Sequence, residues 1–364
     1  MTDIVSEHGP TFLLVFGVAF GLSSLLTPLA IRLGHRLNIL AKPGGRRLHQ
    51  RPTSKLGGLA IAVAFVVAAI VAQFTEVKTT DSNEIIRLTG LLVGGVFIYI
   101  MGVLDDKYDF SPIVNYLAQL TAAAIAVAFL IFIESFNNPF SGNTQSDWPY
   151  WVTVTITLFW LGLMMNTVNF LDGLDGLAAG VGAIASFIIF LHATFELNQI
   201  SVGLLPLALF GATLGFLPYN FHPAKVFMGG GATFLGFTLG CLAIIGGAKM
   251  ATILLVMGLP LMDLAWQAIR RIMEGRNPMM GDRGHLHLRL VDLGYSQRTI
   301  VLGYYTFSAV FGGVALLTTS RLYKLMGLVV MVVMVLGTFA IVSWRGRSRG
   351  VTIAPQSETT SSSK

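Results

Sequence analysis

The chain has 364 residues, of which 54% are apolar and only 12% charged, and a formal net charge of +6. Soluble domains carry roughly 25% charged residues, so a soluble globular enzyme, a disordered chain and a disulfide scaffold are excluded. The apolar residues suffice for about ten transmembrane helices of about 20 residues each, which points to a polytopic membrane protein. Cys241 is the single cysteine and lies in an apolar run, so neither an intrachain disulfide nor a thiol metal site is expected. In such a protein, positive charge reflects basic cytoplasmic loops, and no nucleic-acid partner is implied.

Eleven apolar segments follow in chain order, near 11–33, 57–74, 88–104, 113–133, 150–168, 176–195, 201–218, 232–248, 250–272, 300–318 and 325–343. Each is long enough to span a bilayer with some tilt. The first is too long for a cleavable leader and is preceded by Asp3 and Glu7. With the N-terminus outside, nineteen of the 24 Lys and Arg face the cytoplasm, a strong positive-inside bias. The expectation is an all-α, polytopic transmembrane helical bundle of about eleven spans, N-terminus outside and C-terminus cytoplasmic. Residues 1–348 form one integral-membrane domain, and the Ser/Thr-rich stretch 349–364 is a disordered cytoplasmic tail. The turn around Gly247, Ala248 and Lys249 reads as a tight hairpin or a kink.

Under this orientation the notable polar sequence falls on the cytoplasmic side. Asp105, Asp106 and Asp109 directly follow the third span. Adjacent carboxylates repel unless a cation sits between them, and Mg²⁺ takes one or two carboxylates plus water and phosphate oxygens. The bland alternative is a solvated helix end. Between spans five and six, Asn166-Thr167-Val168-Asn169-Phe170-Leu171-Asp172-Gly173-Leu174-Asp175-Gly176-Leu177 holds two acids at i, i+3 beside two Gly and two Asn. At a helix start the acids share a face, and the start itself favours anions. A divalent metal relieves their repulsion with a phosphate; simple helix capping is the weaker reading. Asn166 and Asn169 suit hydrogen bonds to a sugar or nucleotide.

The loop Pro218 to Gly231 ends in three glycines, which can form a phosphate-binding turn, with Phe227 able to stack on a base. In Asp282-Arg283-Gly284-His285-Leu286-His287-Leu288-Arg289 the two His suit an extended loop with both imidazoles on one face, against a diphosphate or a metal. A basic loop touching anionic lipid is the alternative. Asp263 is the one acid clearly inside a span. It reads either as a group on a transport pathway or as a partner of Arg270 or Arg271 within the bundle.

These motifs, in this order, resemble the polyprenyl-phosphate N-acetylhexosamine-1-phosphate transferase family. The nearer branch looks like the undecaprenyl-phosphate GlcNAc-1-phosphate transferases, and the phospho-MurNAc-pentapeptide translocases are more distant. The resemblance runs from about Arg32 to Arg298, with Asn169 to Leu177 its most specific piece. Supporting pieces are Asp105-Asp106, Asn220 to Met228, Asp263 with Arg270-Arg271, Asp282 to His287, and Pro43 to His49 followed by Arg51-Pro52 and Gly57-Gly58.

The resemblance implies transfer of a sugar-1-phosphate from a UDP-N-acetylhexosamine to a polyprenyl phosphate, with release of UMP, at the cytoplasmic face of the cell membrane. It implies Mg²⁺, with Mn²⁺ as a substitute, and is compatible with a homodimer. Asp105, Asp106, Asp172 and Asp175 would hold the metal and, with His285 and His287, form the catalytic set; Asn166, Asn169, Asn220, Phe227, Arg283, Arg46 and His49 would bind substrate. Three positions depart from the family pattern. Gly229 runs directly into Gly230 where an acid is usual, Leu288 replaces the last His of a His-x-His-His motif, and Ala41 stands where an acid is common. A catalytically silent homologue and a secondary transporter are the competing expectations.

Overall fold

The computed structural model describes residues 2–41, 52–79, 82–134, 136–137, 144–145, 148–247, 250–275, 284–318 and 320–348. Thirteen α-helices dominate it. They are α1 (Thr2–Arg36), α2 (Gly58–Ala72), α3 (Glu84–Tyr108), α4 (Pro112–Ala128), α5 (Tyr150–Leu171), α6 (Leu177–Leu191), α7 (Ile200–Asn220), α8 (Gly231–Ile245), α9 (Met250–Val256), α10 (Gly258–Met273), α11 (Leu286–Asp292), α12 (Gln297–Leu317) and α13 (Arg321–Ser348). Two short antiparallel pairs, β1 (Leu40–Ala41) with β2 (Thr53–Ser54) and β3 (Phe136–Asn137) with β4 (Thr144–Gln145), are additions to the all-α expectation. The tail 349–364 lies outside the described residues.

Among the described residues, seven helices are long and apolar enough to cross a membrane, and α2, α4 and α8 are shorter apolar helices of 15–17 residues. The protein is an all-α membrane protein. Each apolar segment of the sequence falls on helix, but the ninth is two helices, α9 and α10, broken at Met257. At the turn after the eighth segment, α8 ends at Ile245 and Gly247 takes φ +56, while Ala248 and Lys249 are outside the described residues.

Local chemistry sets the helix ends. Ser111 and Ser296 cap α4 and α12 by accepting the N–H of Val114 and Thr299, and Pro112 opens α4 where no intrahelical donor is needed. Most of the helices are apolar around their circumference, as expected where lipid or protein surrounds them, whereas α10 is amphipathic and carries Asp263, Gln267, Arg270 and Arg271. α6 and α7 are the most buried of the candidate spans, and α1 and α13 the most exposed. Small residues set the closest seams. On α7, a Cβ at Gly211 or Gly215 would lie 2.8 Å or 2.5 Å from the backbone carbonyls of Phe16 and Phe20, so α1 packs directly on the α7 backbone. Alanines at 60, 62, 64, 68, 69 and 72 are buried on α2, which packs against both α1 and α7.

The helix connections place one end of the bundle at the centre of interest. The C-termini of α3, α5 and α7 meet there with the N-termini of α2, α6 and α8.

Candidate active site

The loop from Thr53 to Gly58 is sewn to the loop from Val226 to Gly231. Phe227 N–H donates to Ser54 O at 2.8 Å, Gly57 N–H to Phe227 O at 3.0 Å, and Gly58 N–H to Met228 O at 3.0 Å. Lys55 lies between them, its own N–H on Ile39 O at 3.1 Å. Its Nζ sits 2.8 Å from Asp106 Oδ1, and the other carboxylate oxygen accepts the Gly230 N–H at 2.7 Å. Both side chains are largely buried, 20% exposed for Lys55 and 11% for Asp106.

The Gly229-Gly230 step is a close-packing device. Gly229 has φ +57, and a Cβ there would lie 2.1 Å from Lys55 O and 2.3 Å from Asp106 Oδ2. A Cβ at Gly230 would lie 2.3 Å from the carbonyl carbon of Gly102 on α3. This close approach lets the N-terminus of α8, the positive end of its dipole, bear on Asp106.

Asp172 ends α5 and starts the loop to α6. Burial first, then the negative charges of Asp106 and Asp175, push its carboxyl well above the usual carboxylate range, while the Gly229 N–H and Lys55 oppose the shift. Asp175, three residues on, accepts from Ala224 N–H at 3.1 Å and lies 2.7 Å from His222 Nδ1. Arg298 holds the His222 carbonyl from the start of α12. Asp105 points elsewhere: its Oδ1 accepts from Phe110 N–H at 2.9 Å and Asn115 Nδ2 at 3.0 Å, tying the end of α3 to α4.

The histidine segment joins the same loop. The extended-loop expectation is not met, because α11 starts between the two residues: His285 is its N-cap with extended backbone and His287 lies in its first turn. Both rings turn toward Asp263 on α10, His285 Nδ1 at 3.1 Å and His287 Nδ1 at 3.8 Å from Oδ2, while Oδ1 accepts the Leu286 N–H at 3.0 Å. Asp263 is therefore an orienting group for this segment. His285 stacks on Phe170 with centroids 4.8 Å apart, and His287 Nε2 lies 2.8 Å from where a Gly173 Cβ would stand. The two imidazoles are 4% and 1% exposed, and the Nε2 atoms have no hydrogen-bond partner among the described residues. Burial lowers the His287 pKa to about 4, with His285 adding to the effect and Asp263 opposing it. His287 is thus neutral near pH 7, with one ring nitrogen available as an acceptor and the other as a donor.

The predicted substrate-binding residues divide. Asn169 is exposed beside the acidic loop. Asn166 bridges α5 to Gln119 on α4 at 2.7 Å and to Gly162 O at 2.8 Å. Asn220 is 1% exposed and uses both ends of its amide internally, accepting from Gly176 N–H at 3.1 Å and donating to Val226 O at 2.9 Å. It brackets the two site loops rather than facing a ligand. Phe227 is half-buried in the loop that holds Lys55. Arg46, His49 and Arg283 lie outside the described residues. Ala41 is 2% exposed in β1, and Leu288 packs against the core. Lys55 and His222 were not singled out from sequence. Their signal was their place, two residues before Gly57-Gly58 and two after Asn220, in a chain with few polar residues.

Among the described residues, no three His, Cys, Asp or Glu side chains are grouped to hold a metal. Mg²⁺ does not need three: one or two protein carboxylates suffice, with water and phosphate filling the octahedron. Asp106 and Asp172 fit that requirement. They face one another electrostatically, their combined charge exceeds what Lys55 offsets, and Asp172 is under pressure to take up a proton or a cation. Asp105 and Asp175 are engaged with their own neighbours and fit a supporting place.

The profile of glycosyl transferase family 4 matches residues 88–247. A probable undecaprenyl-phosphate N-acetylglucosaminyl 1-phosphate transferase of Bacillus subtilis is 34% identical over 79% of each chain. The decaprenyl-phosphate N-acetylglucosaminephosphotransferase of Mycobacterium tuberculosis is 31% identical over 74% of this chain and 73% of its own. A phospho-N-acetylmuramoyl-pentapeptide-transferase of Desulforudis audaxviator is 32% identical over 82% of this chain and 95% of its own. With the acidic loops, the glycine turn and the histidine segment at one end of the bundle, the chain belongs to glycosyl transferase family 4, on the side of the polyprenyl-phosphate N-acetylglucosamine-1-phosphate transferases.

Proposed function

We propose that the protein transfers an N-acetylhexosamine-1-phosphate, GlcNAc-1-phosphate in the first instance, from a UDP-sugar to a polyprenyl phosphate in the cell membrane. The observation that carries this reading is the electrostatic meeting of Asp106, Asp172 and Asp175 beside the N-termini of α6 and α8. A lipid phosphate oxygen attacks the sugar-linked phosphorus. The P–O bond to the bridging oxygen breaks, and UMP leaves with that oxygen and the electron pair. The product is a polyprenyl-diphospho-sugar, the first lipid-linked sugar of an envelope glycan.

Such a transfer needs alignment and charge neutralisation more than covalent help. The lipid phosphate is already anionic near pH 7, so no strong base is required. When bound, Mg²⁺ held by Asp106 and Asp172 would supply positive charge to the diphosphate oxygens. The α6 and α8 N-termini add backbone N–H groups for anionic oxygens. His285 and His287, turned toward Asp263 and with His285 stacked on Phe170, offer to the same loop Nε2 atoms that have no partner among the described residues. Asn169 would contact the sugar or the nucleotide, and Phe227 would stack on the base.

The glycine step supports an active enzyme over a silent homologue. Where an acid is usual, this chain gives Asp106 a backbone N–H, and both Asp106 and Asp172 remain. The bundle end that carries the site faces the cytoplasm if the N-terminus lies outside and eleven crossings are made, with α9 and α10 sharing the ninth.

The test is UMP release by purified protein in detergent, given undecaprenyl phosphate, Mg²⁺ and UDP-GlcNAc, then other UDP-N-acetylhexosamines. Release that requires both the lipid and Mg²⁺ is expected. No release from any donor, where a related transferase works in parallel, overturns the proposal.

A further inference from the structure

The site holds a cation of its own. Lys55 is carried on a loop fixed from two sides, by Ile39 O on its own N–H and by the Ser54–Phe227, Gly57–Phe227 and Gly58–Met228 bonds around it. Its ammonium is 2.8 Å from Asp106 Oδ1, and its charge also reaches Asp172. The fourth wall is backbone: Gly229 lies against the Lys55 carbonyl and the Asp106 carboxylate with no room for a side chain. These contacts fix the Lys55 backbone, and the bond to Asp106 Oδ1 holds its ammonium at the acidic centre. A lysine used only to neutralise one aspartate would not need so fixed a loop, and an exposed pair of this kind contributes little. Here the pair is largely buried, at the place where a phosphate must be brought against two carboxylates.

We propose that Lys55 is a phosphate-binding residue of the transferase site, its ammonium shared between Asp106 and the diphosphate oxygens so that the protein supplies part of the positive charge the transfer requires. This rests on the transferase reading and deepens it. The physical argument is charge balance. Without ligand, Lys55 neutralises Asp106 and weakens the pull of the acidic pair on a free divalent cation. With a diphosphate present, the same ammonium faces an anion and strengthens the complex. Its loss should therefore move two affinities in opposite directions, which a merely structural lysine would not do.

The experiment compares the wild-type chain with Lys55→Met and Lys55→Arg in detergent, each checked for folding by thermal unfolding. Mg²⁺ alone is titrated by calorimetry, then UDP in saturating Mg²⁺, and UMP release is followed over UDP-GlcNAc concentration. Lys55→Met should bind Mg²⁺ alone about fivefold more tightly and UDP about tenfold more weakly, with kcat down about 100-fold. Lys55→Arg, which keeps the charge, should recover kcat to within about tenfold of wild type. A Mg²⁺ affinity that is unchanged or weaker in Lys55→Met overturns the proposal, as does a kcat within about threefold of wild type. If the wild-type chain releases no UMP from any donor, the transferase reading fails. The Mg²⁺ titration then still decides the Lys55–Asp106 part, tighter binding in Lys55→Met supporting it and unchanged binding overturning it.

Discussion

Burial and two neighbouring carboxylates raise the Asp172 pKa, and the sign of the consequence is fixed. The folded protein holds this proton to a higher pH than the unfolded chain, whose aspartates titrate near about 3.9. Stability from this group therefore falls as pH rises from about 3.9 through the folded pKa. A cation that displaces the proton reverses the loss. Mg²⁺ binding should then release a proton and tighten as pH rises through the raised Asp172 pKa, read by calorimetry in buffers of different ionisation enthalpy. In Asp172→Asn the proton release should vanish, and turnover should fall at least about 100-fold. Equal proton release in the variant and the wild type would contradict the assignment. The importance of Asp172 was legible in the sequence, because two acids at i, i+3 among glycines exceed what capping requires. The split among the four acids was not. That Asp105 turns to Asn115 while Asp106 turns to Lys55 depends on loops remote in sequence.

At the scale of elements, the site is the product of close helix approaches and two brackets. The meeting of Gly102 with Gly230 sets how near α8 comes to α3, and so whether the Gly230 N–H reaches Asp106. Gly230→Asp should lower the thermal midpoint in detergent and lose most activity, because its Cβ would meet the backbone of Gly102. Improved activity in that variant would contradict the packing account. The second bracket is Asn220, which ties the Asp172–Gly176 loop to the Val226 loop. Asn220→Ala should cost about 3 kcal/mol by orphaning a buried N–H and C=O, measured as a lower unfolding midpoint, while UDP affinity falls only through loosened loops. Sequence read Asn220 as a ligand contact, whereas its amide bonds Gly176 and Val226, since an amide that faces inward and one that faces a substrate have the same spelling. The histidine segment misled for a related reason. An i, i+2 spacing suits an extended loop, but a helix starting between the two residues turns both rings toward Asp263 just as well.

For the whole molecule, Lys55, Asp106, Asp172 and Asp175 gather at one end of the bundle, apart from the buried Glu84 and the His192–Glu196–Lys324 group. Asp263, the acid that alone hinted at a transport path, belongs to that end through His285 and His287. The eleven apolar segments were readable because continuous hydropathy survives any packing, whereas the break at Met257 was hidden inside such a run. Orientation is checked with single cysteines in a Cys241→Ser background, since Cys241 is buried and the sole thiol. A cysteine at Lys78 should react with an impermeant maleimide in intact cells, and one at Lys225 only after the membrane is opened; the reverse pattern would place the site outside.

In the proposed transfer the β-phosphorus moves together with its sugar. UDP-GlcNAc labelled with ³²P in the β-phosphate and ³H in the sugar, given to the purified protein with undecaprenyl phosphate and Mg²⁺, tests it most directly. Both labels are expected in the lipid fraction in equal molar amounts, with unlabelled UMP released one for one. Tritium in the lipid with ³²P left in UDP, or neither label in the lipid, would contradict it.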